Sequence, residues 1–365
     1  MRIALVTDFL AQLGGAEKVL EVLHELWPEA PVYTLIYDQT STRGQFLNYQ
    51  IHTSYLQKIP LAKKFYRWFL PLMPGAIEKL DFRGYDIVLS VASAFAKGVI
   101  VPKTAKSICY CLTPTRYLWS DREEYTRNLR GLENLARPVL NKTLNDLRRW
   151  DLKAAKRPDV LIAISDFIKK RIEKYYNRIP EAVIYSPAET NKFFISKNIS
   201  NYFVAISRPR YYKRIDLIIR AFNQLKIPIK IIGISKQEGK VLHPEVKSNI
   251  EFLGYISDKE KAKYLSQARA FIHPQEEDFG ITAVEAMASG RPVIAYRAGG
   301  ALETVIENQT GVFFDDQNWE SLADAVLRFD ESQFNPEKIC QHAQKFSTEN
   351  FKKEMIEIVQ KTRQI

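Results

Sequence analysis

At 365 residues, with 46% hydrophobic and 26% charged side chains, the chain is long enough for two globular domains and is neither disordered nor fibrous in composition. Its net charge of +11 is concentrated, because residues 51–185 hold 25 Lys and Arg against 13 Asp and Glu. Such a field suits an anionic lipid surface or a phosphorylated substrate, while the absence of a nucleic-acid-recognition motif excludes nucleic acid as an expected partner.

No apolar run reaches the roughly 18 residues of a transmembrane helix, and the opening segment lacks a signal-peptide pattern. A cytoplasmic location is therefore expected. The first elements read as a buried strand over residues 2–9, a turn at Gly14-Gly15, and a helix over 16–27 whose Val19, Leu20, Val22, Leu23 and Leu26 share a face before Pro28 stops it. Further strands are expected at 31–36, 87–89, 107–112 and 160–164, separated by helices, as in a parallel doubly wound sheet.

Between the second and third of these strands, Tyr55 to Leu80 interleaves Lys58, Lys63, Lys64 and Arg67 with Leu56, Ile59, Leu61, Phe65, Tyr66, Trp68 and Phe69. The pattern fits an interfacial membrane segment or an acceptor wall, and equally a helix with one face in the core. Cys109 and Cys111 sit two apart on an expected strand and Cys340 is remote, which gives neither a disulfide framework nor a zinc-like spacing. The expectation is buried strand cysteines and no metal.

After Pro187 the alternation restarts, with strands at 202–206, 227–234, 250–253, 270–273, 292–295 and 311–314. Helices are expected at 215–225, 258–267, 282–289 and 319–329, and a last one at 348–362. Two regions of this second half carry chemistry. In the first, a strand ends at His273-Pro274, the acidic loop Gln275-Glu276-Glu277-Asp278-Phe279 follows, Gly280 permits close backbone approach, and Ile281-Thr282 open a helix that Gly290 and Pro292 end. The free amides of that helix start favour an anion such as a diphosphate. Glu285, one turn along, lies on the side of Ile281 and Thr282, placed to accept from ribose hydroxyls. The second is Ser207-Arg208-Pro209-Arg210-Tyr211-Tyr212-Lys213-Arg214, a strand-to-helix loop in which Arg208 and Lys213 can converge on one diphosphate, with Arg210 and Arg214 expected to face solvent or acceptor.

These residues resemble the GT-B glycosyltransferases of family 4. The hallmark Glu-x7-Glu is matched by Glu277 and Glu285, within Phe279-Gly280 and Glu285-Ala286-Met287-Ala288-Ser289-Gly290-Arg291-Pro292-Val293. The resemblance implies an α/β fold of two Rossmann-like domains facing a cleft: an acceptor-side domain at 1–190, a nucleotide-sugar donor domain at 196–346, and a helix at 347–365 crossing back to the first. It implies retaining, metal-independent transfer of a hexose from a nucleotide diphosphate sugar to a glycan or lipid-linked acceptor in polysaccharide biosynthesis. UDP-glucose is the favoured donor and GDP-mannose the other, with no cofactor.

By the same resemblance Glu277 contacts the donor sugar, Glu285 binds the ribose, and Arg208 and Lys213 neutralise the leaving diphosphate. Gly14 and Gly15 correspond to the family's N-terminal glycine loop, and Gly254 and Tyr255, in Phe252-Leu253-Gly254-Tyr255, to the segment that cups the nucleobase. Two departures stand out. Asp278 replaces the glycine that usually follows the first glutamate, and Leu112-Thr113-Pro114-Thr115-Arg116 has leucine where many relatives have a sugar-contacting histidine. The alternatives are a nucleotide-sugar epimerase or a degenerate protein that binds nucleotide sugar without turning it over. A peripheral position on the inner face of a membrane goes with the basic 55–80 stretch.

Overall fold

The alternating strands and helices close into two separate parallel sheets in the computed structural model, which describes residues 1–60, 63, 66–123 and 137–364. One unit is Met1–Tyr185 with Lys352–Ile365, and the other is Ser186–Phe351.

The first unit contains strands β1 (Ile3–Thr7), β2 (Val32–Thr34), β3 (Ile51–Thr53), β4 (Ile87–Ala92), β5 (Lys106–Cys111), β6 (Val160–Ala163) and β7 (Ala182–Val183). They are ordered β3-β2-β1-β4-β5-β6-β7, with every pairing parallel. All five residues of β1 and all six of β4 are buried, as expected of central strands covered on both faces. The sequence pattern does not predict β3 and β7. Both are edge strands of two or three half-buried residues, too short to show a period. Cys109 and Cys111 are buried on β5 and form no disulfide.

Helix Gly15–Leu26 follows β1, with Gly14 as its N-cap. Of the basic and aromatic stretch after β3, Leu61, Lys64 and Phe65 lie outside the described residues. Leu56, Met73, Ala76 and Ile77 are in the core, whereas Lys58 and Lys63 are exposed, so part of its apolar content serves the fold. The last helix, Thr348–Gln364, buries Met355 and Val359, and its Lys352 donates to Glu25 at 2.6 Å.

The second unit repeats the plan with β8 (Phe203–Ile206), β9 (Ile229–Ile232), β10 (Ile250–Gly254), β11 (Phe271–His273), β12 (Val293–Tyr296) and β13 (Gly311–Phe314). Their order is β10-β9-β8-β11-β12-β13, again all parallel. Helix Ile215–Leu225 turns Leu217, Ile218, Ala221 and Phe222 inward, where they pack with Leu322 and Val326 of helix Trp319–Arg328 in one core. In both units the chain winds outward from one central strand, then returns to wind the other way. This leaves a crevice at the carboxyl ends of β1 and β4 and another at those of β8 and β11, the place where open α/β sheets hold ligands. Among the described residues no helix is long and apolar enough to cross a membrane.

Candidate functional site

The two chemically dense loops of the second unit leave the two strands that flank its crevice. The loop after β8 carries Arg208, exposed, and Lys213, which closes the short turn Tyr211–Lys213. The loop after β11 carries Gln275, Glu277 and Asp278 and leads to Gly280. Because β8 and β11 are neighbours, residues 64 apart in sequence meet: Lys213 Nζ donates to Glu277 Oε1. Both side chains keep some exposure, 18% and 17%. Burial pushes the Glu277 carboxyl up, but the Lys213 ammonium and hydrogen bonds from Lys213 and Gln275 outweigh it and hold the group down at about 2. Glu277 is thus an anion at any working pH.

Helix Ile281–Ala288 begins directly beyond this pair. Its N-cap, Gly280, has φ +88°, a left-handed conformation open to glycine at no steric cost, and no side chain caps the helix. Ala283 N–H donates to the Gly280 carbonyl at 2.9 Å, whereas the Ile281 and Thr282 amides, at the helix start, have no carbonyl one turn back to bond, and among the described residues Thr282 Oγ1 is buried with no hydrogen-bond partner. Uncapped amides, an unsatisfied hydroxyl and a neighbouring ammonium together form a site complementary to an anion. The Phe279 side chain is buried against Phe346, their centroids 5.6 Å apart, which anchors the loop.

Glu285 lies one turn further along. Lys261, from helix Asp258–Gln267, donates to its Oε1 at 2.9 Å and lies 3.4 Å from Asp258. Burial opposes the Lys261 charge, but Glu285 and Asp258 outweigh it and raise its pKa above the usual lysine value. Gly254 ends β10 and Tyr255 follows it, two strands from β8. Gly233 N–H donates to the Gly254 carbonyl at 2.7 Å, Gly254 N–H donates to that of Ile234 at 2.9 Å, and Tyr255 is exposed. Gly14 and Gly15 belong to the first unit, where a Cβ added to Gly15 would meet nothing within 4 Å.

Arg214, expected to face solvent or acceptor, keeps 26% exposure but also has protein partners the sequence did not suggest: it bonds Asp216 through two nitrogens at 3.2 Å and Gln317 at 2.7 Å, and Gln317 in turn donates to the Pro274 carbonyl. It ties the loop after β8 to that after β11. Three features escape the sequence reading. Lys261 lies on a polar helix with nothing to distinguish it from its neighbours. Gln275 bridges Glu277 and His273. Gly299 has φ +61° and packs so closely that a Cβ there would stand 2.4 Å from the Glu277 carbonyl oxygen, while Gly300 N–H donates to that oxygen at 2.8 Å. The Gly-Gly pair after β12 is the signal that could have revealed this last support.

In the first unit, Leu112 is half-buried after β5, and the motif's Thr115 joins a buried network. Thr115 Oγ1 donates to Asp151 at 3.0 Å, Asp151 pairs with Lys97 at 2.8 Å, and Trp119 and Tyr176 also donate to Asp151.

Residues 188–347, nearly all of the second unit, match the family of glycosyl transferases described as group 1. An uncharacterized glycosyltransferase of Methanocaldococcus jannaschii is 26% identical over 343 residues, 90% of this chain and 88% of that protein. The O-antigen chain mannosyltransferase of Salmonella typhimurium is 29% identical over 194 residues, 48% of this chain and 55% of that protein. Among solved structures, Anabaena HepE in complex with UDP superposes with a TM-score of 0.71 at 17% identity, over 99% of this chain and 100% of that one. This likeness gives the fold, two Rossmann-like α/β domains of the GT-B type.

Proposed function

We propose, from a second unit that matches the group 1 glycosyl transferases, that this protein transfers a hexose with retention of configuration from a nucleotide diphosphate sugar to a glycan or lipid-linked acceptor. The single observation that carries the reading is the Lys213–Glu277 pair set beside the uncapped start of helix Ile281–Ala288. A diphosphate placed on the first-turn amides and Thr282 Oγ1 brings its negative charge next to Lys213, and Arg208 adds a second cation from the same loop. Glu277 then faces the transferred sugar, and Glu285 the ribose.

The chemistry asked of these groups is electrostatic. As the bond from the anomeric carbon to the phosphate oxygen breaks, negative charge grows on that oxygen, and preorganised donors stabilise it without reorganisation. The phosphate oxygen takes the acceptor hydroxyl's proton while that hydroxyl attacks from the same face. Neutralisation by Lys213 and Arg208 makes the reaction independent of divalent metal.

Two hexoses have support. HepE has been solved with UDP-glucose, and several sequence relatives are mannosyltransferases. Incubating the purified protein with UDP-glucose and with GDP-mannose, with and without EDTA, and following nucleoside diphosphate release and the anomeric configuration of the product tests the reading. Release from one donor, unchanged by EDTA and with retention, is expected. Isomerised donor with no nucleotide released indicates an epimerase, and binding without turnover a degenerate transferase. The exposed Lys58 and Lys63 are proposed to favour an anionic membrane surface, which co-sedimentation with vesicles of graded anionic lipid content checks.

A further inference from the structure

Gln275 is a buried polar side chain, 2% exposed, in the loop that carries Glu277, and its amide nitrogen has two partners. It donates to Glu277 Oε1 at 2.9 Å and lies 3.3 Å from His273 Nδ1. An amide nitrogen carries two hydrogens and accepts none. One hydrogen therefore goes to the carboxylate and the other to the imidazole, so Nδ1 is an acceptor and the ring proton sits on Nε2. The reverse amide orientation would set a carbonyl oxygen against the Glu277 carboxylate, which fixes the assignment. His273 is buried completely, and burial lowers its pKa to about 4, consistent with a neutral ring. Lys213 donates to the same oxygen of Glu277 that Gln275 uses, and no bond to Oε2 is formed among the described residues.

We propose that Gln275 is a positioning residue for the donor sugar: held by His273, it saturates Glu277 Oε1 together with Lys213 and leaves Oε2 as the single acceptor offered to a hydroxyl of the transferred hexose. The inference rests on the reading of Glu277 as a donor-sugar contact and deepens it. Recognition then depends on one oriented lone-pair direction, because the carboxylate cannot rotate to offer its other oxygen. A sugar whose hydroxyl at that place is missing or epimeric leaves Oε2 unpaired, which is how a site built around a fixed hydrogen-bonding group rejects a near-analogue. The nucleotide is held by the helix start and Glu285, which make no bond to Gln275, so its own affinity depends little on the Gln275 amide.

The test compares calorimetric binding of UDP and GDP with that of UDP-glucose and GDP-mannose, on the full chain and on Gln275→Leu, Gln275→Glu and His273→Phe. For Gln275→Leu the expected result is nucleoside diphosphate affinity within about twofold of wild type, with loss of the extra affinity due to the sugar and a fall in kcat/KM of roughly tenfold to a hundredfold, the scale of a small misplacement of a reacting group. In Gln275→Glu a second carboxylate beside Glu277 raises the latter's pKa, so an acid limb enters the activity profile at higher pH than in wild type. His273→Phe, which frees the amide to turn, shifts sugar binding in the same direction by less. Equal sugar-dependent binding and turnover in wild type and folded Gln275→Leu, or an unmoved acid limb in Gln275→Glu, overturns the inference while leaving the enzyme reading intact. A wild-type chain that binds no nucleotide overturns both.

Discussion

The same crevice occurs in both units, and the two are filled in opposite ways. In the first unit, Asp8 leaves the end of β1 and turns its carboxylate onto the loop after β4, where it accepts from the backbone amides of Ser93, Ala94, Phe95 and Ala96 at 2.6–2.9 Å and from Ser93 Oγ at 2.8 Å. Close by, Lys97 and Asp151 are an ion pair with side chains 0% and 1% exposed, joined by Thr115, Trp119 and Tyr176. In the second unit, the residues at the equivalent strand ends are Lys213 and Glu277, still partly open to solvent, next to amides that no side chain caps. Charge that is buried and fully satisfied holds loops in place. Charge that is half-open beside unsatisfied donors is available to a ligand.

If that contrast is right, mutation should separate stability from activity between the units. The largest effect is expected for Lys97→Met, which strands a buried Asp151 and should cost about 3–5 kcal/mol of stability by urea unfolding; a loss below about 1 kcal/mol would erase the distinction. Lys213→Ala should do the reverse, lowering kcat/KM by a factor of about 10² to 10³, near 3 kcal/mol in the barrier, with a smaller loss of stability than Lys97→Met. Glu285→Ala sharpens the division within the second unit. Loss of a charged acceptor for the ribose should raise the donor KM by roughly tenfold, the lower end of the value of a charge-assisted hydrogen bond, and leave kcat nearly unchanged.

The smallest effect is a pH dependence. The folded-state pKa of Glu277, about 2, lies below the ordinary glutamate value of 4.5. Its contribution to stability is therefore complete above the unfolded-state value and is lost as the pH falls from about 4.5 toward 2. Glu277→Gln should lack this component, so the gap between the wild-type and variant melting temperatures should narrow across that window.

Much of the second unit was legible in sequence because its chemistry is local. The strand, acidic loop, glycine and helix from His273 to Glu285 are continuous, and helix Ile215–Leu225 follows the hydrophobic period. What was not legible depends on chain closure. Lys261 is 24 residues from Glu285 and meets it only after two helices pack. Arg214 reads as a surface cation until Gln317, 103 residues away, arrives beside it. The Lys97–Asp151 pair spans 54 residues and follows no motif. Gln275 sits inside the very loop that was singled out. Its role was hidden because a glutamine in an acidic loop is ordinary until His273 is seen to be buried beneath it.

The proposed transfer requires a diphosphate resting at the start of helix Ile281–Ala288 beside Lys213. A structure of the chain soaked with UDP-glucose or GDP-mannose tests that placement most directly. Phosphate oxygens within hydrogen-bond distance of the Ile281 and Thr282 amides and of Lys213 Nζ are predicted. Nucleotide sugar bound to the protein with its phosphates away from these groups would contradict it.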